Sequence, residues 1–316
     1  MKRIKISLLR FIDGIYLNQC CKGQKTQFLL GRREILNYVK KYPLENNSFI
    51  HETWGEFTKR IRVEILQDPK INFFSAPVMI ETMTGFQPFC ETEDFVKQIE
   101  MIIGKSSCAY LLKEDFVGKP VLSRNCIYKT SPNRLVHAYQ LVLGIQYLDN
   151  KNNNLLIVTE WGGGFGGLAR LYKRQFPSCT YNIIDIPDVC ALQYLYLGSI
   201  IGFENVIMHD GSSKLKKNAV NLIPNTLVNK YEKDVACDLF VSSWALSESS
   251  KEAQDFVVSS SFFSAKNLLI IYQPKSIRHP YSEDLDLICE ECSEWVIKTQ
   301  FPIWLDQCVI QAKLKS

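Results

Sequence analysis

Histidine is scarce in this chain: four residues in 316, at positions 51, 137, 209 and 279. That scarcity limits the search for a general base near neutral pH. Long apolar runs are also missing. No stretch approaches the roughly 20 apolar residues that a membrane helix needs. The start, Met1-Lys-Arg-Ile-Lys-Ile, is basic, but Lys5, Arg10 and Asp13 interrupt the apolar run that a signal peptide requires. A strong excess of one charge is absent too: 37 Lys and Arg stand against 33 Asp and Glu, a net +4. Nucleic-acid binders concentrate more basic charge than this, so no nucleic-acid partner is expected. The cysteines number 11 and form no framework. Cys289 and Cys292 make the one C-x-x-C, with no second pair and no histidine at finger spacing, so zinc is not expected. Free thiols in this number fit a reducing, cytoplasmic location. Internal repeats and low-complexity tracts are absent.

Hydrophobic residues make up 46% of the chain and charged residues 22%, the balance of a globular protein with a large core. The length favours about two domains. Residues 1–150 read as a mainly helical cap or acceptor-binding region. Positions 91–105 carry apolar residues at helical spacing. Ser131-Pro132 reads as an N-cap with proline at the first helical position, opening a helix to about 148. The polar run Asp149-Asn-Lys-Asn-Asn-Asn154 then marks a boundary.

Residues 151–316 alternate strands and helices. Strands are expected at 155–159, 180–184, 205–208, 238–242 and 268–272. Helices are expected at 166–176 and 188–201, the second closed by Gly202, and after a capping box Ser249-x-x-Glu252. Residues 295–299 and 308–312 read as a closing antiparallel pair. The expected fold is α/β: a doubly wound, mostly parallel, seven-stranded Rossmann-like sheet.

Ligands of such sheets sit at the carboxyl ends of the strands beside the switch point. Gly162-Gly-Gly164-Phe-Gly-Gly167 occupies that place after the first strand. Gly162-x-Gly164-x-x-Gly167 also matches the dinucleotide fingerprint, so an NAD(P)-dependent oxidoreductase is one reading. Glu160 before the glycines opposes it. A carboxylate there repels pyrophosphate but can order the cationic end of a methionine moiety. Asp185 ends the next strand, where an acid can accept both ribose hydroxyls. S-adenosylmethionine is therefore the favoured cofactor. A ligand-free tight turn and a non-catalytic binding module are the bland readings.

Val158-Thr-Glu160-Trp-Gly-Gly-Gly-Phe-Gly-Gly-Leu-Ala-Arg170, followed by Tyr181-Asn-Ile-Ile-Asp185-Ile-Pro-Asp188, resembles the sugar O-methyltransferase family. That family is a branch of the class I S-adenosylmethionine-dependent methyltransferases. Asp238-Leu-Phe-Val-Ser-Ser-Trp-Ala-Leu-Ser-Glu248 and Ser131-Pro-Asn-Arg-Leu-Val-His137-Ala-Tyr139 are similar to further segments of it. The resemblance covers about residues 125–275. Two positions depart from the family pattern: Trp161 stands for a small or apolar residue, and Ser249 for the usual Met. The resemblance implies methyl transfer to a sugar hydroxyl in a glycan precursor; another small-molecule acceptor is the alternative.

In such a site Glu160, Gly162, Gly163 and Gly164 line the methionine end. Asp185 holds the ribose, and Ile186 packs on the adenine. Asp210-Gly211, after the third strand, is placed near the adenine amine. Ser243 and Trp244 wall the sulfonium. A sugar hydroxyl is a weak nucleophile and gains from a general base. His279, in the loop after strand five, is the first candidate and Glu248 the rival. His51 lies in the N-terminal region that the resemblance does not cover, His137 reads as structural, and His209 reads as structural or adjacent to the cofactor. Asp210 has no acidic neighbour, so no metal is expected. Phe73, Phe74, Phe86, Phe89 and Tyr110 either stack on an acceptor or fill the core.

Overall fold

A computed structural model describes residues 2–44, 47–85, 93–148, 155–274, 276, 284–301 and 307–315. The polar run at 149–154 lies outside the described residues. Helices dominate the first half: α1 Lys2–Cys20, α2 Gln24–Lys41, α3 Glu52–Ile61, α4 Pro77–Thr82, α5 Glu93–Ile103, α6 Lys105–Leu111 and α7 Pro132–Ile145. The Ser131 hydroxyl caps α7 by accepting from Arg134 N at 3.2 Å, with Pro132 in the first turn, as the Ser-Pro pair predicts.

The second half forms an eight-stranded sheet of order β3-β4-β2-β1-β5-β6-β8-β7. Its strands are β1 Ile157–Trp161, β2 Thr180–Asp185, β3 Val206–Met208, β4 Val220–Pro224, β5 Leu239–Ser243, β6 Asn267–Tyr272, β7 Ser293–Gln300 and β8 Cys308–Leu314. The first six are parallel, while β8 is antiparallel to both β6 and β7. This is a doubly wound, mostly parallel, Rossmann-like sheet.

The expectation of seven strands is corrected to eight. β4, the five-residue Val-Asn-Leu-Ile-Pro, carries a buried asparagine and ends in proline, two residues that mask a strand in sequence. Burial explains the asparagine: Asn221 donates to Asn182 Oδ1 and to Lys216 O, and accepts from Lys216 N. β4 pairs with β2 and displaces β3 to the sheet edge.

Two helices flank the switch point, α8 Gly167–Gln175 and α9 Pro187–Ile201. α9 is apolar nearly all round and buried along most of its length, as such a helix must be. It packs on α2 and α3, so the N-terminal helices share one core with the sheet. Three short helices follow, α10 Val228–Tyr231, α11 Ala245–Glu248 and α12 Lys251–Ser259. The cap of α12 is Ser250, which accepts from Ala253 N, rather than Ser249, whose hydroxyl donates to Ala245 O. Among the described residues no helix is long and apolar enough to cross a membrane.

Candidate functional site

β1 lies between β2 and β5, so the connection from β1 runs to one side and that from β5 to the other, which opens a crevice at their carboxyl ends. The glycine turn lies there. Gly162 and Gly164 have φ of +74° and +54°, in the left-handed region. A Cβ on Gly162 would stand 2.1 Å from Ala245 Cβ, so this turn and the start of α11 approach as backbone against side chain. On Gly164 a Cβ would meet nothing nearer than Met83 at 3.9 Å. That face of the turn is open to a cavity of about 720 Å³, within the usual range for small-molecule sites.

Two carboxyl groups enter the cavity from adjacent strands. Glu160, the penultimate residue of β1, is 2% exposed and accepts a hydrogen bond from Tyr181 Oη at 2.9 Å. Asp185, at the end of β2, is 9% exposed and accepts from Gln193 Nε2 at 2.7 Å and from Ile186 N at 2.8 Å. Neither has a basic ion-pair partner among the described residues. Burial therefore dominates, lifting Glu160 to about 8 and Asp185 to about 7 against the opposing hydrogen bonds.

Gln193 stands in no motif of the sequence. Its amide nitrogen also donates to Gly164 O at 2.9 Å, so one α9 side chain ties the glycine turn to Asp185. Among the described residues its Oε1 is buried without a partner, as are Ser243 Oγ and both amide atoms of Gln140. Gln140 and Ser243 line the cavity. The eight-residue gap between Asp185 and Gln193 gives no local signal of their contact.

The other expected residues divide. Gly162, Gly163, Gly164, Ile186, Ser243, Trp244 and Glu248 all line the cavity. Asp210 does not: its carboxylate is exposed and accepts from Ser212 N and Oγ. Gly211 packs against Lys230 and is likewise outside. The reason is β4. The residue that follows the strand beside β2 is Asn225, and Asn225 lines the cavity in the place expected for Asp210. Trp244 sits at φ +65°, held by Trp244 N donating to Ile271 O at 2.6 Å and Nε1 donating to Gln307 Oε1 at 2.5 Å. A non-glycine residue in that region signals a constrained position.

Glu248 is half-buried, and both its oxygens are held: Oε2 accepts from Trp54 Nε1 at 2.8 Å, Oε1 from Gln273 Nε2 at 3.2 Å. Burial raises its pKa. His279 lies outside the described residues. His51 caps α3 and lines the cavity, and His137 lines it from α7, where burial and Arg134 push it down to about 3. His209 is buried between Asn221 and Ser213, away from the cavity. Phe73 and Phe74 are core residues, and Tyr110 is exposed under Arg174. Phe86 and Phe89 lie outside the described residues. The aromatic rings that do line the cavity from the N-terminal half are Phe49, Trp54 and Phe57. No group of three His, Cys, Asp or Glu residues suited to a metal occurs among the described residues.

Trp161 and Ser249, the two departures from the family pattern, meet each other. Trp161 Nε1 donates to Ser249 Oγ at 3.0 Å across 88 residues. The indole also packs beside Phe49 and Phe263.

No protein-family model matches the chain, and no curated protein matches it in sequence. Solved structures similar to it include human methyltransferase-like protein 13 in complex with SAH, at 12% identity and TM-score 0.41, covering 57% of this chain and 82% of that one. Magnesium protoporphyrin IX methyltransferase from Synechocystis PCC 6803 with bound SAH is another, at 12% identity and TM-score 0.39, covering 57% and 85%. An O-methyltransferase family protein from Burkholderia thailandensis is a third, at 14% identity and TM-score 0.36, covering 58% and 61%.

Proposed function

We propose that this chain is an S-adenosylmethionine-dependent O-methyltransferase whose acceptor is a sugar hydroxyl. One observation carries the cofactor: Glu160 and Asp185, two buried carboxyls without basic partners, flank an open glycine turn at the sheet's switch point. A ligand with an ammonium group and a ribose diol satisfies both. A dinucleotide would offer Asp185 a ribose diol too, but its pyrophosphate brings no donor or cation to Glu160. The orphaned Gln193 Oε1 and Ser243 Oγ fit a polar ligand in the same place. The sugar rests on the family resemblance and on the aromatic rings of Trp54, Phe57 and Trp244, which offer faces for stacking. In this reading residues 1–150 cap the site and shape the acceptor pocket, and residues 151–316 hold the cofactor.

Bound there, S-adenosylmethionine supplies an electrophilic methyl group on a sulfonium. The protein's own work is alignment and proton removal. Glu160 accepts from the ammonium and Asp185 from the ribose hydroxyls; Ile186 and Asn225 border the adenine. Glu248 is the proposed base, taking the proton of the acceptor hydroxyl at a carboxylate that Trp54 and Gln273 hold in place. His279, the first candidate in the sequence, is the rival for that proton.

Calorimetry with SAH and with NAD tests the cofactor. SAH binds and NAD does not; the reverse result would overturn the proposal. Glu248→Gln slows turnover and spares SAH binding. Wild-type turnover in that variant hands the role to His279.

A further inference from the structure

Beside the main cavity lies a second, smaller chamber of about 90 Å³. A single water needs about 10–15 Å³, so the chamber holds several waters or one small charged group. None of Glu160, Gly162, Gly163, Gly164 or Asp185 lines it. It shares Gly85, His137 and Phe165 with the main cavity, and of the glycine turn only Phe165 and Gly167, at its C-terminal end, line it.

Two guanidiniums face this chamber with unused donors. Arg10, on α1, has Nε and Nη1 buried without a hydrogen-bond partner and no ion pair among the described residues. Arg134, on α7, is 4% exposed, and its Nη1 is also unpartnered. The rest of Arg134 is engaged: Nε and Nη2 donate to Glu114 Oε1 at 3.1 and 2.7 Å, and Nη2 to Asp115 Oδ2 at 2.5 Å. Glu114 lines the chamber as well, but its oxygens are occupied by Arg134 and by the backbone N–H groups of Asp115 and Ser131. Asp115 is shared further with Arg170 and Arg174. Three guanidiniums around two carboxylates, with Arg10 as a fourth cation, leave the cluster positively charged. A buried arginine with idle donors and no anion is costly unless a ligand supplies one. Burial lowers the Arg10 pKa, in keeping with an uncompensated charge.

We infer that Arg10 and Arg134 form an anion-binding subsite that receives a carboxylate or phosphate group carried by the acceptor. This rests on the proposed methyltransferase reading only for the word acceptor. The chemistry of the subsite is independent of it. Forked guanidinium donors suit a planar or tetrahedral oxyanion. The separation of this chamber from the carboxyl-lined turn keeps the anion away from Glu160 and Asp185.

The test uses the full chain, with inorganic phosphate and acetate titrated separately by calorimetry and thermal shift at ionic strength balanced with chloride. Saturable binding of phosphate but not acetate assigns a phosphorylated acceptor; the opposite assigns a carboxylate. Arg10→Met weakens that binding by about tenfold or more and does not lower the melting temperature in the absence of anion. Val121→Phe, which fills the chamber wall and leaves both guanidiniums in place, weakens it as well. No saturable anion binding, or wild-type binding in Arg10→Met, overturns the subsite. SAH and the anion are then titrated together. Simultaneous binding supports the acceptor assignment. Competition overturns it, because the subsite then belongs to the cofactor's own carboxylate. If the anion binds and SAH does not, the subsite stands and the cofactor reading falls.

Discussion

Glu114 and Asp115 are as deeply buried as Glu160 and Asp185, yet the two pairs are treated in opposite ways. Around Asp115 converge Arg134, Arg170 and Arg174, and these guanidiniums overcome the effect of burial to hold its carboxyl well below the usual range. Around Glu160 and Asp185 stand a tyrosine, a glutamine and backbone N–H groups but, among the described residues, no cation, and burial carries both carboxyls upward. The first pair is scaffold: it fastens the segment before α7 to α7 and α8. The second pair is left incomplete at a cavity, and it is there that the cofactor is proposed to bind.

The largest expected effect lies in the scaffold. Asp115→Ala leaves two buried guanidiniums and the partly buried Arg170 without their common acceptor and costs about 3–5 kcal/mol, read from urea unfolding. A loss under about 1 kcal/mol would mean that the cluster is not the clamp described. Asp185→Asn reverses the pattern. Its unfolding midpoint stays near that of the wild type, while SAH affinity falls by about ten- to a hundredfold, or roughly 1.5–3 kcal/mol. Unchanged affinity would remove the ribose assignment.

The pH dependence follows from the same contrast. Glu160 and Asp185 have folded-state pKa values of about 8 and about 7, above the roughly 4 of an unfolded carboxyl. Their contribution to stability is therefore complete below about pH 4 and is lost as pH rises through 7 and 8. An ammonium group is held best by the ionised form, so SAH binding tightens over the window in which the free protein loses stability. A flat affinity between pH 6 and about 8.5 would contradict it. The smallest effect concerns Trp161 and Ser249. Trp161→Phe and Ser249→Ala each cost about 0.5–1.5 kcal/mol, and the double variant costs less than their sum because both break one bond. Strict additivity in a double-mutant cycle would break the link.

Legibility follows sequence distance. The glycine turn, Glu160, Asp185 and Ile186 sit on strands and turns whose patterns are local, and each lines the cavity. Asp210 lies outside the cavity and Asn225 lines it, because a five-residue strand with a buried asparagine and a proline carries no clear period and hides β4 in the sequence. Trp54 and Gln273 reach Glu248 across 194 and 25 residues, and nothing local announces either contact. Arg170 was visible as the last residue of a motif, but its partner Asp115 lies 55 residues upstream.

From the sequence alone follow the alternation of strands and helices, the position of the switch-point turn and the sign of charge on either side of it. These depend on periodicity, on glycine's freedom at positive φ and on residue type. Only the tertiary structure decides which buried carboxyls receive a cation and which do not. That is because pairing is settled by packing between distant segments, and the free energy of a buried charge depends on what those segments place within a few ångströms of it.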